Sequence, residues 1–278
     1  MSFLVLVLVL WVEKFSALRH RLQRDRVWLA ELTRLEAKPR LAREPALILA
    51  LWVLLPAIVL GVVLLALKPV AYGLLAFPIH LWVVIYSLGR GDIKASLGPF
   101  RDAWRRGDEQ AAVHVAERDL GLTGDDEASL LAKVQNHLLW QAYQSFFAVI
   151  FWYVLLGPVA ALVYRLLALA VAHSTHPGVV ARAGSIRHAF DWLPVRVLAA
   201  SFALVGNFVA VGKVMLHELL HWHIGAKQLI ADVGRVAGEL PSSAAGDAGV
   251  ASLDSLWELL LRSAVLWYAV IALWTVLF

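Results

Sequence analysis

The sequence predicts an all-α protein, a polytopic transmembrane helical domain with amphipathic helices on its cytoplasmic side. Three observations support this class. The 278 residues are 60% hydrophobic and only 17% charged, whereas soluble domains are nearer half apolar and a quarter charged. The mean hydropathy is +0.71, and the apolar excess lies in uncharged runs long enough to cross a bilayer. Lys and Arg cluster in the short segments beside those runs, which is typical of cytoplasmic loops.

The chain is expected to begin with a retained apolar helix whose amino end lies outside the cytoplasm. Residues 1–10, MSFLVLVLVL, lack the basic start and the small-residue cleavage motif of a signal peptide. The following stretch, residues 12–44, contains nine Lys/Arg and five Asp/Glu. Because Leu29, Leu32 and Leu35 recur there at near-helical spacing, we predict a basic amphipathic helix on the inner leaflet.

Two apolar segments and a polar one follow. Residues 46–67 are uncharged and long enough to span, with Pro56 predicted to kink the helix. Residues 70–88 return the chain to the cytoplasm. Residues 89–136 contain seven Lys/Arg and are predicted to be a cytoplasmic helical insertion. Within it, Asp108 is predicted to cap a helix that stops at Gly121, and Asp126 to cap the next one.

The second half of the chain leaves its topology open. The apolar run 143–172 breaks at Gly157-Pro158, so it is either a kinked crossing helix or a re-entrant hairpin. Residues 172–189 are predicted to be a short polar segment, and residues 190–212 to be a span that opens at Asp191. Residues 213–262 are predicted to be an extramembrane helical loop of uncertain side, flexible at 240–249. Residues 263–278 form the last apolar segment, and residues 1–278 together are expected to form a single membrane domain.

Residues 217–221, HELLH, match the H-E-x-x-H pattern of zinc peptidases. On a helix, His217 and His221 lie one turn apart on one face, as zinc ligands require, and Glu218 could polarise a metal-bound water. A catalytic zinc site also needs a third protein ligand, and the sequence lacks the H-E-x-x-H-x-x-G-x-x-H extension that supplies one. We therefore expect no bound metal and keep zinc peptidase only as an alternative function.

Five polar side chains lie at or inside the apolar segments: Gln141, Gln144, Arg165, Asp191 and Arg196. An Arg or Asp at the bilayer centre costs roughly 2.5–3.5 kcal/mol on insertion scales, so such groups usually pair or line a cavity. Asp191 with Arg196 is one candidate pair. The alternative is that these side chains extend to the membrane interface.

Three stretches carry a family resemblance: MSFLVLVLVLWVEKFSALRHR at 1–21, WQAYQSFFAVIFWYVLLGPVAALVYRLL at 140–167, and FDWLPVRVLA at 190–199. They resemble the AmpE family of inner-membrane modulators associated with β-lactamase induction, which is similar to the CobD/CbiB membrane proteins of cobalamin biosynthesis. The resemblance covers essentially the whole chain. It implies an inner-membrane protein with a regulatory role.

The resemblance also implies that a reaction has been lost. The biosynthetic relatives form an amide from an amino-alcohol at the cost of ATP. Their motifs carry acidic side chains near one helix, which we call the FW helix because it contains Phe151-Trp152 in this chain. Here the 117–120 stretch keeps only Arg118-Asp119 of one motif. In the second motif, Gln141 stands where an Asn is expected and Gln144 where an Asp is expected. Residues 166–172, LLALAVA, replace the third motif. Carboxylates that could bind Mg²⁺ are therefore missing. The lost motifs flank the FW helix on both sides, which favours the re-entrant hairpin at Gly157-Pro158.

We therefore expect a multi-pass inner-membrane regulatory or sensor protein, involved in β-lactamase induction and peptidoglycan-recycling signalling, without enzymatic activity and without a cofactor. The alternatives are an ATP-dependent amide-ligase-like enzyme and the zinc peptidase. Beside the lipid bilayer, the expected partners are a small-molecule or cell-wall-derived ligand, a protein partner or a second copy of the chain, and no nucleic acid. The predicted ligand-binding residues are Arg118, Asp119, Gln141, Gln144, Arg165, Asp191 and Arg196.

Overall fold

The structure is a computed structural model that describes residues 4–9, 25–69, 74–89, 93–124, 126–218, 223–240 and 245–277. This described part contains helices and no β-strand, which confirms the all-α prediction. In chain order its helices from residue 26 onward are α1 (Arg26–Glu36), α2 (Pro39–Ala42), α3 (Pro45–Leu67), α4 (Ala76–Ser87), α5 (Ile93–Ser96), α6 (Gly98–Arg105), α7 (Glu109–Val115), α8 (Glu127–Leu156), α9 (Pro158–His173), α10 (Pro177–Val205), α11 (Phe208–Glu218), α12 (Ala226–Ala237) and α13 (Gly246–Leu277).

Four of these helices, α3, α8, α10 and α13, are long and apolar enough to cross a membrane. They contain 23 to 32 residues, and about 20 residues span the hydrocarbon core of a bilayer. The helices α4 and α9 are apolar but shorter. Length and composition therefore support the predicted polytopic transmembrane class.

Pro56 is accommodated within α3 by a change of helix type. The turn Ala50–Leu54, which comes just before it, is π-helical, and the amide of Leu55 reaches back to the carbonyl of Ala50. A proline ring inside an α-helix clashes with the carbonyl four residues earlier and donates no hydrogen bond. A wider π turn at that place relieves the crowding, so the helix continues to Leu67.

The Gly157-Pro158 break is a sharp reversal between two helices. The helix α8 ends at Leu156 and α9 begins at Pro158, so Gly157 is the whole connection. Its φ of 83° and ψ of −171° belong to a region that essentially only glycine adopts. Residues Ala148–Leu156 pack against α9, and both contact α4. Of the two alternatives for 143–172, this packing favours a helical hairpin.

The predicted helix caps in the polar region are confirmed. The carboxylate of Asp108 accepts a hydrogen bond from the amide of Ala111 at 3.0 Å, and Asp126 accepts one from Ser129 at 2.8 Å. The first of these helices continues through a π turn, Ala116–Leu120, and stops at Gly121 in the left-handed conformation. The predicted insertion ends at residue 136, but no helix ends there. The helix α8 runs from Glu127 to Leu156, and it contains no Gly or Pro that would interrupt it.

Two predicted boundaries in the second half are wrong. The helix α10 begins at Pro177, so most of the polar segment 172–189 is helical and Asp191 lies within the helix instead of at its start. Polarity indicated a loop there, whereas the structure buries Arg187 and Asp191 on the helix itself. The helix α13 begins at Gly246, so the predicted loop at 240–249 is shorter than expected. The membrane side of 213–262 stays a prediction.

The chain divides into two compact units. The first comprises Met1–Arg90 and Ala148–Asp191, and the second Gly91–Phe147 and Trp192–Phe278. The single membrane domain stays a prediction, because two units can belong to one such domain. In the first unit, α9 packs against α1, α3, α4 and the end of α8. The apolar face of α1 is covered there by protein, with Leu32 and Leu35 inside the main core. Its position on the inner leaflet stays a prediction.

The second unit is held by a helix pair and by charges. The face of α8 that carries Leu130, Val134 and Leu138 is buried, and α8 packs against α12. Gly234 on α12 permits the close approach, because a Cβ there would lie 2.6 Å from a methyl carbon of Leu139. Between α6 and α13, Arg101 Nη2 contacts both carboxylate oxygens of Asp254 at 2.7 and 2.8 Å.

The reversal at Gly157 should depend on glycine. We expect Gly157→Ala to lower the free energy of unfolding by about 1–3 kcal/mol, because alanine is strained at this backbone geometry. Gly184→Ala is the control, since a Cβ at Gly184 in α10 meets nothing within 4 Å and alanine favours a helix interior. Thermal unfolding of the detergent-solubilised chain measures both variants. Equal melting temperatures for Gly157→Ala and wild type would contradict the hairpin geometry.

Candidate functional site

Two adjacent residues on α9 each hold a buried carboxylate of another segment. The hydroxyl of Tyr164 donates a hydrogen bond to Asp191 Oδ1 on α10 at 2.8 Å. Next to it, Arg165 Nη2 donates to Asp25 Oδ2, just ahead of α1, at 3.1 Å. Asp25 and Asp191 are only 2% and 4% exposed. The helix α9 therefore joins two buried acidic groups that come from opposite ends of the first unit's sequence.

The Asp25 cluster consists of Asp25, Tyr86 and Arg165. Asp25 is the N-cap residue of α1, but its side chain makes no capping hydrogen bond. Its carboxylate instead accepts from the hydroxyl of Tyr86 at 3.1 Å and from Arg165. Aromatic rings cover this region: Trp28 lies 6.3 Å from the Tyr86 ring and 6.4 Å from that of Trp52. The ion pair is thus shielded on that side by apolar groups.

The Asp191 cluster consists of Tyr164, Arg187 and Asp191. Arg187 precedes Asp191 by one helical turn on α10, and its Nε lies 3.5 Å from Asp191 Oδ2. The guanidinium carbon of Arg187 is also 5.8 Å from the centre of the Tyr164 ring. This distance falls within the range for cation–π attraction. The guanidinium of Arg187 thus balances the charge of Asp191 inside an apolar unit, and the hydroxyl of Tyr164 donates to the same carboxylate.

Burial makes these two clusters a strong structural constraint. Removing a single charge from water costs several kcal/mol, and a partner recovers that cost only when the geometry is good. If one partner is lost, the other remains as an uncompensated buried charge. The segments that carry Asp25, Arg165, Arg187 and Asp191 are therefore bound to one another by electrostatics as well as by the apolar core.

Arg165 and Asp191 are the two predicted site residues that belong to these clusters. The other five lie in the second unit. Asp191 has Tyr164 and Arg187 as partners, and Arg196 donates to the carbonyl of Trp192 at 2.9 Å with its guanidinium 4.2 Å from the Trp192 ring. The proposed Asp191–Arg196 pair stays a prediction, as does a single site formed by all seven residues.

Arg118 and Asp119 form an exposed pair with each other. Arg118 Nε and Nη2 donate to the Asp119 oxygens at 2.7 and 2.8 Å. These hydrogen bonds lower the pKa of Asp119 and raise the pKa of Arg118, so both remain charged at neutral pH. The contribution of the pair to stability is therefore complete above the ordinary carboxyl pKa and is lost as pH falls through the lowered value.

Gln141 and Gln144 also contact each other, with Gln144 Nε2 donating to Gln141 Oε1 at 2.6 Å. Gln144 lies in a π-helical turn, Tyr143–Phe147, and the Arg118–Asp119 pair lies in the π turn Ala116–Leu120. Such turns are frequent at functional sites. The two glutamines present an amide pair, without the negative charge that a divalent cation would require.

The metal prediction concerns residues that the structure covers only in part. The backbone of His217 belongs to α11, but its side chain and the whole of His221 lie outside the described residues. Within the described residues, no group of three or more His, Asp and Glu is arranged to hold a metal ion.

Sequence reasoning missed four members of the clusters: Asp25, Tyr86, Tyr164 and Arg187. One signal was available, because Arg187 and Asp191 have the i, i+4 spacing of a helical ion pair. The prediction of a short polar segment at 172–189, with a span beginning only at residue 190, places these two residues in different elements and so conceals the signal. Asp25 stands within a basic stretch, RLQRDRVW, where a lone acid gives no indication of a partner 140 residues away.

The Asp25–Arg165 pair should behave as a buried unit. We expect Arg165→Gln to cost about 3–5 kcal/mol of unfolding free energy, because it removes the charged partner of a buried carboxylate. Asp25→Asn combined with Arg165→Gln should be milder than the sum of the single changes. Thermal unfolding in detergent measures the series.

The exposed pair of Arg118 and Asp119 is the matched control. Arg118→Gln should change the melting temperature little, since exposed ion pairs contribute little to stability. If Arg165→Gln is as mild as Arg118→Gln, the buried constraint is absent.

Comparison with known proteins gives the family. Residues 1–231 match the family model described as regulatory signalling modulator protein AmpE. The protein AmpE of Shigella flexneri is 26% identical over 154 residues, which cover 51% of this chain and 54% of that relative. The match thus spans about half the length of the relative. No solved structure matches the chain. Together with the four long apolar helices, the family model shows that this chain is a multi-pass membrane protein belonging to the AmpE family of regulatory signalling modulators.

Proposed function

We propose that this chain is an inner-membrane protein that modulates β-lactamase induction and peptidoglycan-recycling signals by binding a ligand or a protein partner, and not by catalysis. The observation that carries the proposal is the Tyr164–Asp191 hydrogen bond. It joins the stretches 140–167 and 190–199, which carry the resemblance to the family. Ionisable groups within a membrane domain are usually functional.

The state of the two buried carboxylates favours binding over catalysis. Asp25 and Asp191 each accept a hydrogen bond from a tyrosine hydroxyl, and each forms an ion pair with an arginine. A general base needs access to the proton that it removes, whereas both carboxylates are buried and already contacted by a hydroxyl and an arginine. This arrangement suits a structural lock between helices. A regulator can use such a lock when a bound molecule competes for one of its charges.

Unsatisfied donors in the first unit support a ligand. Arg165 Nε and Trp152 Nε1 are buried and have no hydrogen-bond partner among the described residues. Buried polar groups are nearly always paired, so each exception needs an explanation. An acceptor group of a bound molecule would satisfy such donors. Trp152 belongs to the FW pair that marks the family resemblance, and its ring lies 4.8 Å from that of Phe190.

The replaced acidic motifs agree with a lost reaction. We infer that the chain is a catalytically degenerate relative of adenosylcobinamide-phosphate synthase. Where those enzymes are expected to present an Asn and an Asp, Gln141 and Gln144 contact each other through neutral amides. Neutral amides do not provide the negative charge that holds Mg²⁺ at a phosphoryl-transfer site.

The regulatory role is tested by complementing a deletion strain of the native host. We expect the deletion to change β-lactamase activity after exposure to an inducer, and to change the muropeptide pools measured by mass spectrometry. Wild type should restore both values, and Asp191→Asn should not, because it weakens the hydrogen bond that joins the two stretches.

The control is Arg34→Gln, since Arg34 lies on the exposed side of α1. Immunoblots of the membrane fraction must show equal amounts of each variant. A deletion strain with unchanged induction and unchanged muropeptides would refute the regulatory proposal.

A further inference from the structure

An apolar groove opens on the first unit between α3, α9 and α10. Its volume is about 590 Å³, within the range of roughly 300–1,000 Å³ that is typical of small-molecule sites. Small side chains make the space: Ala46 and Ala50 line it from α3, and Ala181 from α10. The π turn before Pro56 supplies three of the lining residues on α3. The turn that accommodates Pro56 thus forms part of the groove wall.

The groove has a polar end and an apolar end. The helices α3 and α10 begin side by side. Their starts are so close that a Cβ on Gly178 would lie 2.7 Å from the ring of Pro45. Ala46 and Arg182 line the groove near these helix starts, and Leu54 and Phe190 line it further along. From Ala46 to Leu54 the groove follows about 12 Å of helix at 1.5 Å per residue. Its lining thus changes from cationic to apolar along its length.

We infer that this groove binds an anionic membrane lipid, with an acyl chain along the apolar end and the phosphate at Arg182. Arg182 is the charged residue among the described lining residues, and its side chain is exposed. An arginine near a helix start extends its guanidinium to the membrane interface, where it binds phosphate through paired N–H donors. The inference does not depend on the regulatory role and goes beyond it.

The lining favours a lipid over a water-soluble effector. Polar ligands are fixed by several placed donors and acceptors, whereas this groove is walled mostly by Ala, Val, Leu, Ile and Phe side chains. The groove also lies along two of the helices that are able to span a bilayer. A hydrocarbon chain is the ligand chemistry that matches both observations. The arginine adds a preference for a negatively charged headgroup.

The test titrates the purified, delipidated full chain with dioleoyl phosphatidylglycerol or dioleoyl phosphatidylcholine and counts bound lipids by native mass spectrometry. Arg182→Gln should weaken the binding of phosphatidylglycerol about fivefold, the effect of one basic residue near an anionic lipid surface. It should leave phosphatidylcholine binding unchanged. Ala50→Trp, which fills the groove, should remove one bound lipid of either type. Ala181→Leu is a second filling variant, used if Ala50→Trp lowers the melting temperature.

Arg235→Gln is the matched control, because Arg235 is an exposed arginine of α12 in the second unit. Lipid counts and affinities that are the same in wild type, Arg182→Gln and the filling variants would overturn the inference. Inorganic phosphate is titrated in parallel. Binding of phosphate that depends on Arg182 but not on the groove-filling changes would assign the site to a free anion and overturn the lipid. A change of oligomeric state in Ala50→Trp, with the lipid count unchanged, would assign the groove to a second copy and also overturn it.

Discussion

A buried carboxylate in an apolar unit requires a partner that stays in place, and this requirement organises the first unit. Asp25 and Asp191 come from distant parts of the sequence, and α9 reaches both with the adjacent residues Tyr164 and Arg165. Because either charge would be costly without its partner, the positions of α1, α9 and α10 are fixed relative to one another. The apolar core around Trp52 and Leu166 adds stability without directing which polar groups meet.

Backbone features place α9 where Tyr164 and Arg165 can contact both carboxylates. Gly157 reverses the chain in one residue, so α9 returns along the end of α8 and contacts α4. A π turn accommodates Pro56 in α3, keeps that helix continuous and supplies three of the residues that line the groove beside α10. One departure from regular helix geometry thus turns α9 back towards the charged groups, and the other contributes to the groove lining on the same unit.

The sequence predicts the parts of this structure that depend on local patterns. Long apolar runs predict α3 and the helical class, and Asp108, Gly121 and Asp126 predict helix ends because capping is decided within a few residues. The sequence does not predict where α10 begins, because charged residues in a polar stretch are typical of a segment outside the membrane. In the structure, Arg187 and Asp191 are buried one helical turn apart and contact each other. The Asp25 cluster could not be predicted, because its members are 61 and 140 residues apart and only the tertiary fold brings them together. Arg165 and Asp191 were found from their position in apolar segments, without their partners.

The account rests on α9 binding a carboxylate through Tyr164, and a double-mutant cycle of Tyr164→Phe with Asp191→Asn tests this most directly. Tyr164→Phe removes the donor, Asp191→Asn removes the charge of the acceptor, and both changes nearly preserve side-chain shape. Unfolding free energies of the full chain in detergent should give a coupling of about 1 kcal/mol, the excess of a hydrogen bond to a charged group over one to a neutral group. Effects that add to within about 0.5 kcal/mol would contradict the account, because independent sites behave in that way.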